Sequence, residues 1–248
     1  LNQKPGREEK TDGRNDKMAE VLIKAGSFVA VIIMGNLLRR AGFFKEEDFY
    51  VLSKIVLKIT LPAAIISNFS GIDLKPSMLV MTLLGFGGGI LYITMAFFMS
   101  IGKEREERAF NVLNLPGYNI GNFTMPFAQS FLGPVGVVAT SLFDTGNAFV
   151  CLGGAYSVAV VTKEKNARFS LLPVVKTLLK SLPFDAYLIM TVLSFLHVAL
   201  PAPITSFTGV IGNANAFMAM LMIGVGFKLN GDSSQPGKIV RILAARYS

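Results

Sequence analysis

Apolar residues in this chain gather into long blocks separated by short polar connections. The blocks run at about 19–38, 49–70, 77–101, 109–132, 135–161, 183–202 and 207–229. Each approaches the roughly 20 residues an α-helix needs to cross the hydrocarbon of a bilayer. A helix on the surface of a soluble core shows an apolar stripe on one side instead. The pattern therefore predicts an all-α polytopic membrane protein with seven spanning helices. One connection differs from the rest. In 163–182, Leu171, Leu172, Val175, Leu178 and Leu179 are interspersed with Lys176 and Lys180, which predicts a short amphipathic linker helix lying at the cytoplasmic interface. After a polar turn at 230–237, residues 238–248 open an eighth helix. Residues 1–17 are polar and rich in both charge signs, and read as a disordered tail or an upstream artefact ahead of Met18.

The fourth block interrupts its own pattern. Asn114 to Pro126 reads Asn-Leu-Pro-Gly-Tyr-Asn-Ile-Gly-Asn-Phe-Thr-Met-Pro. Proline lacks the backbone donor and clashes with the preceding turn, and glycine loosens a helix further. Backbone groups freed inside a membrane persist only where protein or a water-filled cavity satisfies them. The stretch thus predicts a helix broken near mid-depth with amide side chains beside the break, a binding-site device of secondary transporters. A proline-kinked packing helix is the plainer alternative.

Composition agrees with the membrane reading. Of 248 residues, 52% are hydrophobic and 16% charged, and the mean hydropathy is +0.52. The net charge of +8 lies in the connections between blocks, not on a folded polar surface, so it marks topology and not a nucleic-acid partner. Basic residues follow blocks one, three, five and seven: Arg39, Arg40 and Lys45; Lys103, Arg105 and Arg108; Lys163, Lys165, Arg168, Lys176 and Lys180; Lys228, Lys238, Arg241 and Arg246. The opposite connections hold Lys75 alone. The positive-inside bias places the N-terminus outside. Cys151 is the one cysteine, so an intramolecular disulfide is excluded.

Asp144 is the one acid near the middle of a block, in Ser-Leu-Phe-Asp-Thr-Gly-Asn (Ser141 to Asn147). A carboxylate there is costly unless it faces a cavity, pairs, or carries a proton. It is a candidate coupling site for H⁺ or Na⁺, with Asn147 one turn away on nearly the same face; a packing hydrogen bond is the alternative. Lys54 and Lys58 read as snorkelling side chains and His197 as an interfacial residue. Gly85, Gly87, Gly88 and Gly89 favour close helix approach. No metal-ligand spacing, nucleophile–base set or phosphate loop stands out, so the sequence offers neither catalytic nor metal-binding residues, and no cofactor.

Several stretches resemble the auxin efflux carrier family, which includes bacterial malate permease-like carriers. They are Met34-Gly-Asn-Leu-Leu-Arg-Arg-Ala-Gly-Phe43, Leu61-Pro-Ala-Ala-Ile-Ile-Ser-Asn-Phe-Ser70, Asn119-Ile-Gly-Asn-Phe-Thr-Met-Pro126, Asp144-Thr-Gly-Asn147, Leu178-Leu-Lys-Ser-Leu-Pro183, Pro201 and Met222-Ile-Gly-Val-Gly-Phe-Lys-Leu229. The resemblance implies two inverted repeats of five helices, crossing at broken helices four and nine. Residues 18–162 would form the first repeat, 163–182 the linker, and 183–248 an incomplete second repeat, so that seven to eight helices are present and the carrier is truncated. Phe217-Met-Ala-Met220 stands where the family carries a proline-bearing pattern. Asn119, Asn122 and Pro126 would belong to the first crossover, its second half starting near Pro126, with Asp144 and Asn147 beside it on helix five.

The function implied is secondary active transport of a small organic anion such as a carboxylate by alternating access, in a bacterial inner membrane. The partners would be that anion, the lipid bilayer and a second copy of the chain. The alternatives are a non-transporting carrier-like module or a seven-helix sensor or receptor.

Overall fold

The computed structural model describes residues 8–164, 167–168, 170–227 and 236–247, with the side chains of 8–18, 236 and 238 left aside. It is helical throughout, and no strand occurs among the described residues. The helices are α1 (Glu8–Arg40), α2 (Asp48–Phe69), α3 (Pro76–Met99) and α4 (Arg105–Asn114), then α5 (120–132), α6 (133–163) and α7 (Leu171–Leu178), and finally α8 (Leu182–Phe195), α9 (Ala202–Gly226) and α10 (Pro236–Tyr247).

Five helical runs among the described residues are long and apolar enough to cross a membrane, or six when the bent pair α7–α8 counts as one. The protein is therefore membrane-embedded. Four of these runs, at 22 to 25 residues, extend about 33–38 Å at ~1.5 Å per residue. Side chains such as Leu22, Ile33, Leu83, Leu91, Phe98 and Val210 point outward and are well exposed. Lipid satisfies such apolar faces; water would not.

The count differs from the seven expected for two reasons. Blocks four and five join in one helical run, Ile120–Lys163, in which the chain turns at Gly133, where φ is 63°. Glycine takes that left-handed angle without a Cβ clash. Beyond the turn, 133–149 packs back on 120–124, so α5 and α6 form a tight antiparallel pair. The sixth block also yields a shorter helix than expected: α8 ends at Phe195, and the chain around His197 (φ 52°) is irregular before Pro201 and Pro203 open α9. At the other end of the chain, α1 starts at Glu8, so the polar stretch 8–17 continues the helix and is not a disordered tail. Residues 1–7 lie outside the described residues.

Helix α7 forms where the amphipathic pattern placed it. Val174 and Leu178 are buried against Ala148 and Phe184, Leu171 and Leu172 stay exposed, and the chain bends by 81° into α8. The largest apolar cluster lies where α2, α6 and α8 meet, around Leu61, Ile65, Phe69, Val138, Leu142 and Tyr187. A second joins α1 and α2 to the end of α9. A third joins α3, α4 and the end of α6 to Ile242 of α10.

The tightest crossing is α3 on α6. A Cβ on Gly146 would sit 1.9 Å from the Thr82 carbonyl oxygen, and one on Gly85 would sit 2.0 Å from that of Phe143. Small residues let two backbones approach this closely. Within the glycine cluster of α3, Gly85 and Gly89 face α6, whereas Gly87 faces open space.

The basic connections meet as well. The Arg39 guanidinium donates to the carbonyls of Val225 (3.0 Å) and Phe227 (2.8 Å) at the C-terminus of α9. There it satisfies orphan acceptors and complements the helix dipole. Lys163 pairs with Glu106 (3.5 Å) and Arg241 with Glu107 (2.9 Å). The connections holding Asp73 and His197 meet separately, with Asp73 Oδ1 3.5 Å from His197 Nδ1.

Candidate functional site

The fourth block is broken where its composition predicted. Helix α4 ends at Asn114, residues 115–119 are not helical, and the helix resumes at Ile120. The second half thus starts earlier than Pro126. It opens with a π-turn over Ile120–Thr124, and a second π-turn, Ala128–Leu132, follows the short stretch containing Pro126. Proline cannot donate to the carbonyl four residues back, and the wider π-turn absorbs the mismatch. The same device recurs at Val56–Thr60, just ahead of Pro62 in α2, and a further π-turn, without a proline beside it, lies at Val150–Gly154 in α6.

Three of these four π-turns, at 56–60, 120–124 and 150–154, converge on one cavity of about 150 Å³. Its wall includes Leu57 and Leu61 of α2, Tyr118 and Asn119 of the break with the first residues of α5 to Asn122, Asp144, Asn147 and Cys151 of α6, and Phe184 and Tyr187 of α8. Four of the five site residues expected from sequence, Asn119, Asn122, Asp144 and Asn147, therefore line one cavity. Pro126 does not: it is buried further along α5, beyond the lining.

Asn147 holds the break in place. Its Oδ1 accepts from the Tyr118 backbone N–H (3.2 Å), and its Nδ2 donates to the Tyr118 carbonyl (3.3 Å). One side-chain amide thus takes up both backbone groups of a residue that no helix satisfies, as backbone inside a membrane requires. Nδ2 also donates to Asp144 Oδ1 (2.9 Å), and the Cys151 thiol donates to Asn147 Oδ1 (3.1 Å). The other carboxylate oxygen, Asp144 Oδ2, accepts from the Tyr187 hydroxyl (3.0 Å). Both Asp144 oxygens are therefore held by neutral donors, and among the described residues no lysine, arginine or histidine lines the cavity.

The break leaves further groups available. A Cβ on Gly121 would stand 4.0 Å from Asp144 Oδ2, which places the opening turn of α5 beside the carboxylate. The first backbone N–H groups of a helix lack intrahelical acceptors and carry its positive dipole end. Asn119 is exposed to the cavity mouth, and Asn122 Oδ1 is buried without a hydrogen-bond partner. A neutral amide, a carboxylate and a helix N-terminus around one small cavity can bind a cation at Asp144 and a polar or anionic group at the amides.

Tyr187, Tyr118 and Cys151 belong to this site and were not singled out from sequence. Tyr187 reads as one more core aromatic of an apolar helix, and it is indeed fully buried. Only the crossing of α8 over α6 turns its hydroxyl onto Asp144. Tyr118 lies inside the interrupted stretch itself, where its place beside the break was a usable signal. Cys151 sits one turn after Asn147, and that spacing was the corresponding signal. Among the described residues no group of histidine, cysteine and acidic side chains has a metal-binding arrangement.

No protein-family model, curated protein or solved structure matches the chain.

Proposed function

We propose that the chain forms the substrate-binding part of a secondary carrier for small organic anions, related to the auxin efflux carriers, with the cavity at the break as its binding site. The observation that carries this reading is the convergence of Asn119, Asn122 and Asp144 around a broken helix that Asn147 stabilises. Broken helices with free backbone ends at mid-membrane are how such carriers hold ions and charged substrates without a dedicated cage. Asp144 supplies the site for H⁺ or Na⁺, and the amides with the opening turn of α5 supply the donors for a carboxylate. The basic connections lie in the cytoplasm, which puts the N-terminus outside. The inverted repeat of the resemblance belongs to this proposal too, with α1 to α6 as its first unit.

Uptake of a panel of labelled mono- and dicarboxylates into proteoliposomes tests the proposal. Wild-type protein is expected to accumulate at least one of them under an inward H⁺ or Na⁺ gradient. Asp144→Asn is expected to abolish the gradient-driven component while the protein remains monodisperse. Gradient-driven uptake by Asp144→Asn equal to wild type removes the coupling role; no uptake of any panel member by wild type removes the carrier reading.

A further inference from the structure

The cavity as lined poses an electrostatic problem for an anion. Among the described residues Asp144 is its one ionisable acid or base of ordinary charge, and whenever Asp144 carries no H⁺ or Na⁺, two like charges a few ångströms apart at low dielectric repel strongly. A compensating cation lies just behind the lining. Helix α10 packs through Ile242 on Ala96, Val112, Leu115 and Ala159, and its end reaches the break. There the Arg246 Nη2 donates to the Gly117 carbonyl oxygen, and the Tyr92 hydroxyl donates to the Arg246 carbonyl (2.9 Å). The Tyr92 ring meets the Tyr118 ring edge-on, at a centroid distance of 5.8 Å.

Gly117 connects this arginine to the cavity. Its φ is 100°, and a Cβ there would fall 2.6 Å from Cys151 Sγ, a lining residue. The next residue, Tyr118, lines the cavity and is held by Asn147. A guanidinium has five N–H donors, and the Gly117 carbonyl engages one of them. The stretch 117–121, from the break into the opening turn of α5, is thus flanked by Arg246 on one side and Asp144 on the other.

We propose that Arg246 is the charge-selecting residue of this cavity, offsetting Asp144 and drawing the carboxylate end of a small organic anion to the Gly117–Tyr118 edge of the break. The proposal rests on reading the cavity as a carrier's binding site. Its ligand class is a small carboxylate, oriented with its anionic end toward Arg246 and away from Asp144. The sequence treats Arg246 as one of several basic residues marking a connection; its role follows from where α10 docks.

The single cysteine gives a test that does not depend on transport. Cys151 in the full chain, in detergent, is reacted with methanethiosulfonates of equal size bearing a sulfonate or a trimethylammonium group, and both rates are read by mass spectrometry. Wild type is expected to react at least as fast with the anionic reagent. Arg246→Gln should lower the anionic-to-cationic rate ratio about tenfold, the scale of one nearby charge at intermediate dielectric, and Arg246→Lys should hold it within about twofold of wild type. Asp144→Asn should move the ratio the opposite way. An unchanged ratio in Arg246→Gln with an unaltered melting temperature overturns the proposal. If Arg246→Gln does not fold, the wild-type ratio decides: a preference for the cationic reagent overturns the proposal, and an anionic preference that excess succinate suppresses sustains it. Absence of uptake in proteoliposomes alongside the expected ratios would refute the carrier reading and leave the charge selection by Arg246 standing.

Discussion

Asn147 shows how one side chain can make an irregular backbone affordable in a membrane. It is 1% exposed, and its amide bonds the N–H and the C=O of Tyr118, the Asp144 carboxylate and the Cys151 thiol. Asn147→Ala would leave both Tyr118 backbone groups without partners and free one Asp144 oxygen, at a cost of about 2 kcal/mol or more. The expected result is a clear drop in thermal melting temperature, larger than that of Asn119→Ala, whose side chain is exposed at the cavity mouth. A smaller drop for Asn147→Ala than for Asn119→Ala would contradict this role. The sequence made Asp144 and Asn147 legible as a pair, because an acid and an amide three residues apart in an apolar helix share a face. It did not reveal that Asn147 faces the backbone of another helix, because that depends on α6 lying against the break.

At the level of elements, breaks and close crossings decide the architecture. Proline at 62 and 126 and glycine at 117 and 133 are visible punctuation in the sequence, and the structure answers each with a π-turn, a gap or a reversal. Where helices touch depends on the absence of side chains. Gly146→Leu should prevent α3 from seating on α6, since even a Cβ would lie 1.9 Å from the Thr82 carbonyl oxygen. Gly87→Leu, in the same glycine cluster but facing open space, should be tolerated. Size-exclusion profiles and melting curves of the two variants check this, and equal behaviour would contradict the assignment of the contact face. The sequence marked the cluster as a crossing surface, but which glycines face the partner depends on how α3 is rotated about its axis, and the packing of α6 fixes that.

For the whole molecule, the packing around the cavity sets what can move. Helices α1, α2, α8 and α9 share apolar contacts around one side of α2, while α3, α4, the end of α6 and α10 form their own cluster. The Arg241–Glu107 ion pair ties α10 into the second group. Glu107→Gln should loosen that end, giving faster hydrogen–deuterium exchange in 236–247 and little change in 202–226, where Arg39 caps α9. Exchange rates unchanged in 236–247 would show that the Ile242 packing and the Arg246 contacts hold α10 without this ion pair. This coupling matters for the site, since the helix held by Glu107 is the one that carries Arg246 to the break.

By itself, the sequence determined that the chain is helical and membrane-embedded, where its fourth block breaks, and that Asp144 is a polar group needing company. These are local properties: block length against bilayer thickness, missing donors at proline, and the cost of a carboxylate in an apolar helix. The tertiary structure decided which groups meet. Tyr187 reaches Asp144 because α8 crosses α6, Arg246 reaches Gly117 because α10 docks on α4, and Pro126 falls outside the cavity because α5 resumes at Ile120. Such juxtapositions depend on helix rotation, crossing angle and the position of a turn, and these are set by contacts between residues far apart in the chain. No local window of sequence contains them.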